Sequence, residues 1–270
     1  MKGTVVFSGY SAFYKLKRKK FLVALDNISL QIDGGSSVAI VGESGSGKTT
    51  FLKAIAGFCD YCEGEVYIDG KTASAKSKNV SVAYVSQQYS LYPHLTVFEN
   101  VAFPLRVKKM PQIEIVKAVK NVAKDLEIEL LLTRKPFQLS IGQQQKVALA
   151  RAVAKNPDVI LLDEPFSNQD TLSGEEVRKI LKKVRETCSA TLVLVTHELN
   201  DARYLADKTI ILEEGAVKAY GDTREVLAGY GEPEFLSADM IKGAPSDCEN
   251  EAPSDCENAD EIDENQCAED

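Results

Sequence analysis

Short apolar runs alternate with helix-patterned segments along most of the chain. "SSVAIVG", "VSVAYVSQ", "DVILLDEP" and "ATLVLVTHE" are near-continuous in Val, Ile, Leu and Ala, the pattern of strands buried on both faces. "VALDNISLQI" and "GEVYIDG" also read as strands, the second lying between two glycines. "KTTFLKAIAG" predicts a helix closed by Gly57, and "EEVRKILKKVRETC" a helix with one apolar stripe that ends at Cys188. "KTIILEEGAVKAYGD" predicts a hairpin turning at Glu214-Gly215. Between Thr96 and Val153 the pattern is mostly helical, which predicts a helical insert. Buried strands alternating with helices predict an α/β fold with both sheet faces covered.

The pattern fails after about residue 235–243. There "APSDCENEAPSDCEN" repeats one seven-residue unit, at 244–250 and 252–258. The segment is acidic and poor in large apolar residues, so it cannot bury enough surface to offset its ordering entropy. The expectation is a body over residues 1–243 and a disordered, Cys-containing tail over 244–270. The tail also explains the charge. The chain carries a net −8, but the tail holds eleven acidic residues and no Lys or Arg, which leaves the body 29 acidic against 32 basic. A body so close to neutral has no basic face large enough to suggest nucleic acid.

No run approaches the roughly 18 apolar residues of a membrane helix. The first twenty residues lack the apolar core and cleavage site of a signal peptide. A cytosolic chain is expected, reaching a membrane only through a partner. Of the six cysteines, Cys59 and Cys62 form a Cys-x-x-Cys in "FCDYCEG" without a second pair at zinc spacing. They read as loop-edge residues, with a redox or metal role as the alternative.

"GESGSGKTT", 42–50, satisfies G-x-x-x-x-G-K-[ST] between a strand and a helix. Gly42, Ser44, Gly45, Gly47 and Thr50 belong to a loop whose backbone N–H groups can surround phosphates. Lys48 supplies a positive charge, and the Thr49 hydroxyl can ligate Mg²⁺. "VILLDEP", 159–165, delivers Asp163 and Glu164 to the carboxyl end of a buried strand, where α/β folds bind ligands. Alone it reads as a surface turn. Beside a phosphate loop, Asp163 becomes a candidate metal ligand and Glu164 a candidate general base. "QLSIGQQQKVALA", 138–150, is a second candidate phosphate-facing helix start, with Ser140 as its cap.

With these motifs in order, the chain resembles the ATP-binding cassette (ABC) ATPases, the nucleotide-binding subunits of ABC transporters. The resemblance covers about Val5 to Leu227. It adds a Q-loop glutamine, Gln87, in "VSQQYSLYPHLTVFENV", a D-loop "SNQD" at 167–170 and a switch histidine, His197, in "LVTHE". It implies a P-loop NTPase core, with a RecA-like parallel sheet and an antiparallel β-subdomain, plus an ABC helical subdomain over about 96–153. It implies ATP and Mg²⁺ as cofactors, with Gln87 joining Thr49 and Asp163 near the metal. Glu164, His197 and Gln87 are then the catalytic candidates.

Cassettes of this family act as head-to-tail dimers. The signature "LSIGQ" at 139–143 therefore implies that Ser140, Gly142 and Gln143 complete the site of a second cassette, with Asp170 crossing the interface. An aromatic residue upstream of the phosphate loop stacks on adenine. Phe13, Tyr14 and Phe21 are available, and Tyr14 is the candidate, just before the basic run Lys15-Leu16-Lys17-Arg18-Lys19-Lys20. That run reads as a solvated loop or a contact with anionic lipid. His94 lies in "LYPHLTV", a region whose family role is contact with the transmembrane subunit.

Three positions depart from the usual pattern: Ile141 in the signature, Lys146 in place of Arg, and Gln169 in the D-loop. None removes a group that does chemistry. The resemblance implies partnership with transmembrane permease subunits and a second ABC cassette, a homodimer being expected. For an importer it adds a solute-binding protein, and it gives no nucleic-acid partner. It puts the chain in the cytoplasm, peripheral on the inner face of the cell membrane. "SLYPHLTVFENVAFPL" is similar to importer cassettes for small polar solutes, and no added C-terminal β-domain is expected. The alternatives are a soluble ABC ATPase acting on ribosomes or DNA, or an exporter subunit.

Overall fold

A computed structural model describes residues 2–16, 20–73, 80–167 and 171–229, excluding the side chains of 171–173. Met1–Gly231 forms one compact unit, and Glu232–Asp270 a second. The second, and with it the reading of 244–270 as disordered, lies outside the described residues.

Within the first unit the elements are β1 (Val5–Lys15), β2 (Phe21–Ile32), β3 (Ser37–Val41), α1 (Lys48–Ala56), β4 (Tyr61–Ile68), β5 (Lys71–Thr72) and β6 (Val82–Val85). They continue with α2 (Val97–Val107), α3 (Gln112–Asp125), α4 (Ile141–Ala154), β7 (Val159–Asp163), α5 (Thr171–Thr187) and β8 (Thr191–Val195). The last are α6 (Leu199–Leu205), β9 (Lys208–Glu213), β10 (Ala216–Asp222) and α7 (Thr223–Ala228). A six-stranded sheet runs β10-β9-β3-β8-β7-β6, and a four-stranded sheet runs β2-β1-β4-β5. In the first, β9, β3, β8, β7 and β6 are parallel and β10 is antiparallel; the second is antiparallel throughout. This is the expected P-loop NTPase α/β fold with an antiparallel β-subdomain.

The two-residue period of a strand divides the core. Ala39, Val41, Ile160, Leu162, Leu192, Leu194 and Ile211 face a cluster supplied by α2 to α7. Val38, Ile40, Val159, Leu161, Val193, Val195, Ile210 and Leu212 face the opposite cluster, with α1 and the antiparallel sheet. Leaving no polar face, these strands read as continuous apolar runs. The helical region expected over 96–153 is α2, α3 and α4 with two 3-10 turns, Glu129–Leu131 and Pro136–Gln138.

Thr96 caps α2 through a reciprocal box: Glu99 N donates to Thr96 Oγ1 at 3.2 Å, and Thr96 N to Glu99 Oε2 at 2.8 Å. Gly57 closes α1 in the left-handed region at φ 70°, as the sequence predicts. The hairpin turns at Glu214 (φ 46°) and Gly215 (φ 81°), also as predicted.

Candidate functional site

Four strands of the six-stranded sheet end at one edge, and each is followed by a candidate residue. β3 leads into the phosphate loop, β6 into Gln87, β7 into Asp163 and Glu164, and β8 into His197. In a parallel sheet these ends share an edge by construction, so residues far apart in sequence converge.

The phosphate loop is held tightly. A Cβ at Gly42 would lie 2.1 Å from the Leu212 carbonyl oxygen, so only glycine fits where β3 turns away from β9. Gly47 adopts φ 103°, and a Cβ there would lie 2.4 Å from the Ala24 carbonyl oxygen, again excluding a side chain. Lys48 is 7% exposed and folds back on its own loop, its Nζ donating to the Gly42 and Glu43 carbonyls at 2.8 and 2.6 Å. Burial pushes the Lys48 pKa down, opposed by the Glu164 and Asp163 carboxylates. An arriving anion would find donors there, because α1 begins with N–H groups that lack intrahelical partners.

Asp163 is buried at 8% exposure. Its Oδ1 accepts from Thr49 Oγ1 at 3.0 Å, and its Oδ2 from the Tyr84 hydroxyl at 2.7 Å. Burial first, and Asp163 second, push the Tyr84 phenol pKa far up. Glu164 adopts φ 47°, a left-handed conformation that costs a non-glycine residue of order 1–3 kcal/mol. It persists because the flanking backbone is tied down: Glu164 N donates to Val195 O at 3.1 Å, and Ser167 Oγ to Glu164 O at 3.0 Å. Glu164 Oε2 accepts from Gln87 Nε2 at 3.2 Å, and Glu164 Oε1 lies 4.0 Å from His197 Nδ1.

Groups unmarked in the sequence hold the His197 loop. Thr196 Oγ1 donates to Asp201 Oδ2 at 3.4 Å and accepts from Glu198 N at 3.0 Å. Asp201 is fully buried and ion-paired to Arg178 at 2.7 Å. On the Gln87 side, Arg151 of α4 donates to the Tyr89 and Ser90 carbonyls at 3.0 and 2.9 Å. The fully buried Asn100 holds the Tyr92, Leu95 and Thr96 carbonyls.

Beside the loop opens a cleft of about 440 Å³ lined by Tyr14, Ser44, Gly45, Gly47, Lys48, Thr49, Thr50 and Glu164. Tyr14 stands on its wall with its hydroxyl 3.1 Å from Thr50 Oγ1. Phe13 lines a neighbouring cleft with Tyr14, and Phe21 packs on Tyr61 at 5.4 Å. Leu22, Val23, Ala24, Glu214 and Gly215 complete the main cleft, and sequence reasoning missed them all. The β9–β10 turn reaches it because Gly215 N donates to Ser46 O at 3.0 Å and Asp26 N to Gly215 O at 2.9 Å.

Ser140, Gly142 and Gln143 stand apart, at the start of α4. Gln143 N donates to Ser140 Oγ at 3.2 Å, and Ser140 N to Gln143 Oε1 at 3.1 Å. Gly142 has open space where a Cβ would be, and Ile141 is 55% exposed, so Ile141 crowds nothing within the chain. Lys146 pairs with Glu176 at 3.0 Å. Asp170 and Gln169 lie outside the described residues. Among the described residues no helix is long and apolar enough to cross a membrane, and no group of three metal-ligating His, Cys, Asp or Glu side chains occurs, so the Cys59–Cys62 pair has no further such ligand.

A family model described as "ABC transporter" matches residues 25–167. The glucose import ATP-binding protein of Saccharolobus solfataricus is 39% identical over 241 residues, 87% of this chain and 67% of that protein. The sulfate/thiosulfate import ATP-binding protein 1 of Chromobacterium violaceum is 41% identical over 240 residues, 84% of this chain and 66% of that protein. For the trehalose/maltose import ATP-binding protein of Thermococcus litoralis the identity is 38% over 231 residues, 83% of this chain and 61% of that protein. The chain thus spans about two thirds or less of the length of these relatives. A solved ATP-binding cassette, in a dimeric post-hydrolysis state bound to ADP and Pi, superposes with a TM-score of 0.72 at 38% identity, covering 82% of this chain and 99% of that one.

Proposed function

The chain belongs to the ABC transporter family, and on that premise we propose that it is the ATP-hydrolysing, energy-coupling subunit of an importer for a small polar solute. The observation that carries this reading is the convergence of Lys48, Thr49, Asp163, Glu164, Gln87 and His197 on one sheet edge beside one cleft. The import reading is supported by relatives named for the import of glucose, sulfate/thiosulfate or trehalose/maltose.

The phosphates of ATP enter the loop, and Lys48 exchanges its two carbonyl partners for phosphate oxygens. The exchange is favourable because the phosphate is an anion, which holds the ammonium more strongly than two uncharged carbonyl acceptors do. The oxygen donors of Thr49 and Asp163 fit Mg²⁺, a hard cation usually held by one or two carboxylates plus nucleotide phosphates, with Gln87 as a further oxygen donor. When bound, the ion neutralises charge on the transferring phosphoryl group. Glu164 takes the proton of the attacking water, and the amide of Gln87 fixes the direction of that carboxylate. His197, across from Glu164, donates to the γ-phosphate. Tyr14 stacks on the adenine.

The helix start at Ser140, Gly142 and Gln143, with Asp170, completes the site of a second cassette. ATP then draws two cassettes together and hydrolysis releases them, a population shift driven by differential binding. The coupled motion passes to transmembrane permease subunits at the inner membrane face, and a solute-binding protein delivers the solute.

Glu164→Gln purified with ATP and Mg²⁺ from detergent-solubilised membranes of its host tests this. The wild type should hydrolyse ATP, and the variant should bring down a polytopic membrane protein. A soluble binding protein in the same complex marks import. Ribosomes, DNA or no partner at all would overturn the transporter reading.

A further inference from the structure

Tyr84 belongs to none of the motifs, yet it touches Asp163, the carboxylate buried beside the phosphate loop. It stands on β6, paired in register with Leu161 of β7, two residues before Asp163. With a two-residue period, Val159, Leu161 and Asp163 share the face of β7 that looks toward α1. Val82 and Tyr84 pack on that same side, one strand over. A side chain at position 84 therefore lies beside the carboxylate at position 163, and a phenol is long enough to reach it.

The result is a carboxylate held at both oxygens. Oδ2 accepts from Tyr84 at 2.7 Å and Oδ1 from Thr49 at 3.0 Å. The terminal torsion of an Asp side chain is broad and two-fold, so packing alone does not fix it. Two donors on opposite oxygens do. Tyr84 is itself braced, with the Phe58 ring edge-on at 6.2 Å. A Phe or Met at this position would fill the same space and leave Oδ2 without its donor.

We propose that Tyr84 is a positioning residue of the ATPase site: its hydroxyl fixes the rotation of Asp163, so that the Oδ1 edge stays on Thr49, where the metal–nucleotide complex would be held. This rests on the ATPase reading above. It predicts a defect confined to the metal-dependent part of nucleotide binding, because Tyr84 does not line the phosphate loop.

The test is Tyr84→Phe in the full chain, read by titrating a fluorescent ATP analogue with and without Mg²⁺. Metal-free affinity should match the wild type, and the thermal midpoint without nucleotide should fall by no more than a few degrees, the cost of the one lost hydrogen bond. The Mg²⁺ concentration giving half of the metal-dependent gain in affinity should rise about three- to tenfold, the loss expected of one hydrogen bond to a charged acceptor partly replaced by water. A Mg²⁺ titration that overlays the wild type would overturn the proposal. So would an equal loss of affinity with and without the metal, which would make Tyr84 a packing residue. If the wild type itself shows no metal-dependent nucleotide binding, the ATPase reading fails, and this inference with it.

Discussion

Gln87 Nε2 donates to Glu164 Oε2 at 3.2 Å, joining two side chains 77 residues apart. Gln87 also donates to Ser167 Oγ at 3.2 Å. The segment that follows it runs into α2 and is pinned to α4 by Arg151. Hydrogen bonds thus connect Glu164 to Gln87, and the segment after Gln87 to α4. Gln87→Ala removes that donor without touching the phosphate loop. Turnover should fall about ten- to a hundredfold, the cost of one hydrogen bond to a carboxylate, and the lost metal oxygen should show separately as a higher Mg²⁺ requirement, with the KM for ATP at saturating Mg²⁺ within about twofold. Steady-state ATPase kinetics decide it; a rise in KM with unchanged kcat would mean that Gln87 acts on binding instead.

Lys48, Thr49, Asp163 and Glu164 were legible because their motifs sit at the ends of buried strands, and strand ends in a parallel sheet must meet at one edge; Gln87 and His197 rested on the family resemblance. The cleft wall was not legible, because it is built by hairpins. Leu22, Val23 and Ala24 come from β2, and Glu214 and Gly215 from the β9–β10 turn, segments with no motif of their own. β1 escaped the sequence reading because its register with β2 shifts at three places, which breaks the alternation. α6 and α7 span seven and six residues, too short for a 3.6-residue period to show. Tyr84 was hidden for another reason: in "VSVAYVSQ" it reads as one more apolar residue, and its hydroxyl matters only through a neighbour on the adjacent strand.

Tyr14 and Phe13 are adjacent in sequence, and their backbone alternation sends them different ways. Tyr14 lines the cleft beside Lys48, whereas Phe13 lines only the neighbouring one. Tyr14→Ala should weaken ATP about ten- to a hundredfold, taking about 1–3 kcal/mol for a base stacked on an aromatic ring. Tyr14→Phe keeps the ring and loses only the contact with Thr50, so its affinity should stay within about threefold. Phe13→Ala should bind as the wild type does. Equilibrium fluorescence titration separates the three. Full affinity in Tyr14→Ala would shift the adenine contact to Leu22 and Val23.

Glu99 accepts from both the backbone N–H and the hydroxyl of Thr96. The backbone N–H first, and the hydroxyl second, hold its pKa below the ordinary glutamate value of 4.5. A depressed folded-state pKa gives stability that is fully present above the ordinary value and is lost as pH falls through the folded one. Glu99→Gln can still close the capping box, without the charge. At pH 7 the wild type should be the more stable of the two, and the gap should close as pH drops below 4.5. Thermal unfolding midpoints across that range check it. A gap that persists at the lowest pH would assign the difference to packing.

Ser140 carries two demands that one pair of substitutions can separate. Its side chain caps α4 within the chain, accepting from Gln143 N at 3.2 Å. In the proposed dimer the same helix start faces the phosphates of the other cassette. Ser140→Ala removes the cap and should cost about 1 kcal/mol of stability. Ser140→Asp keeps a capping oxygen and suits the positive end of the helix, so stability should be retained. The aspartate also sets a negative charge against the partner's nucleotide. ATP-dependent dimerisation in a Glu164→Gln background should therefore be lost in Ser140→Asp even though the fold is intact. Thermal unfolding and size-exclusion chromatography with ATP read the two effects apart. If Ser140→Asp dimerises as its parent does, the helix start lies away from the partner's phosphates, and Ser140 has only its capping role.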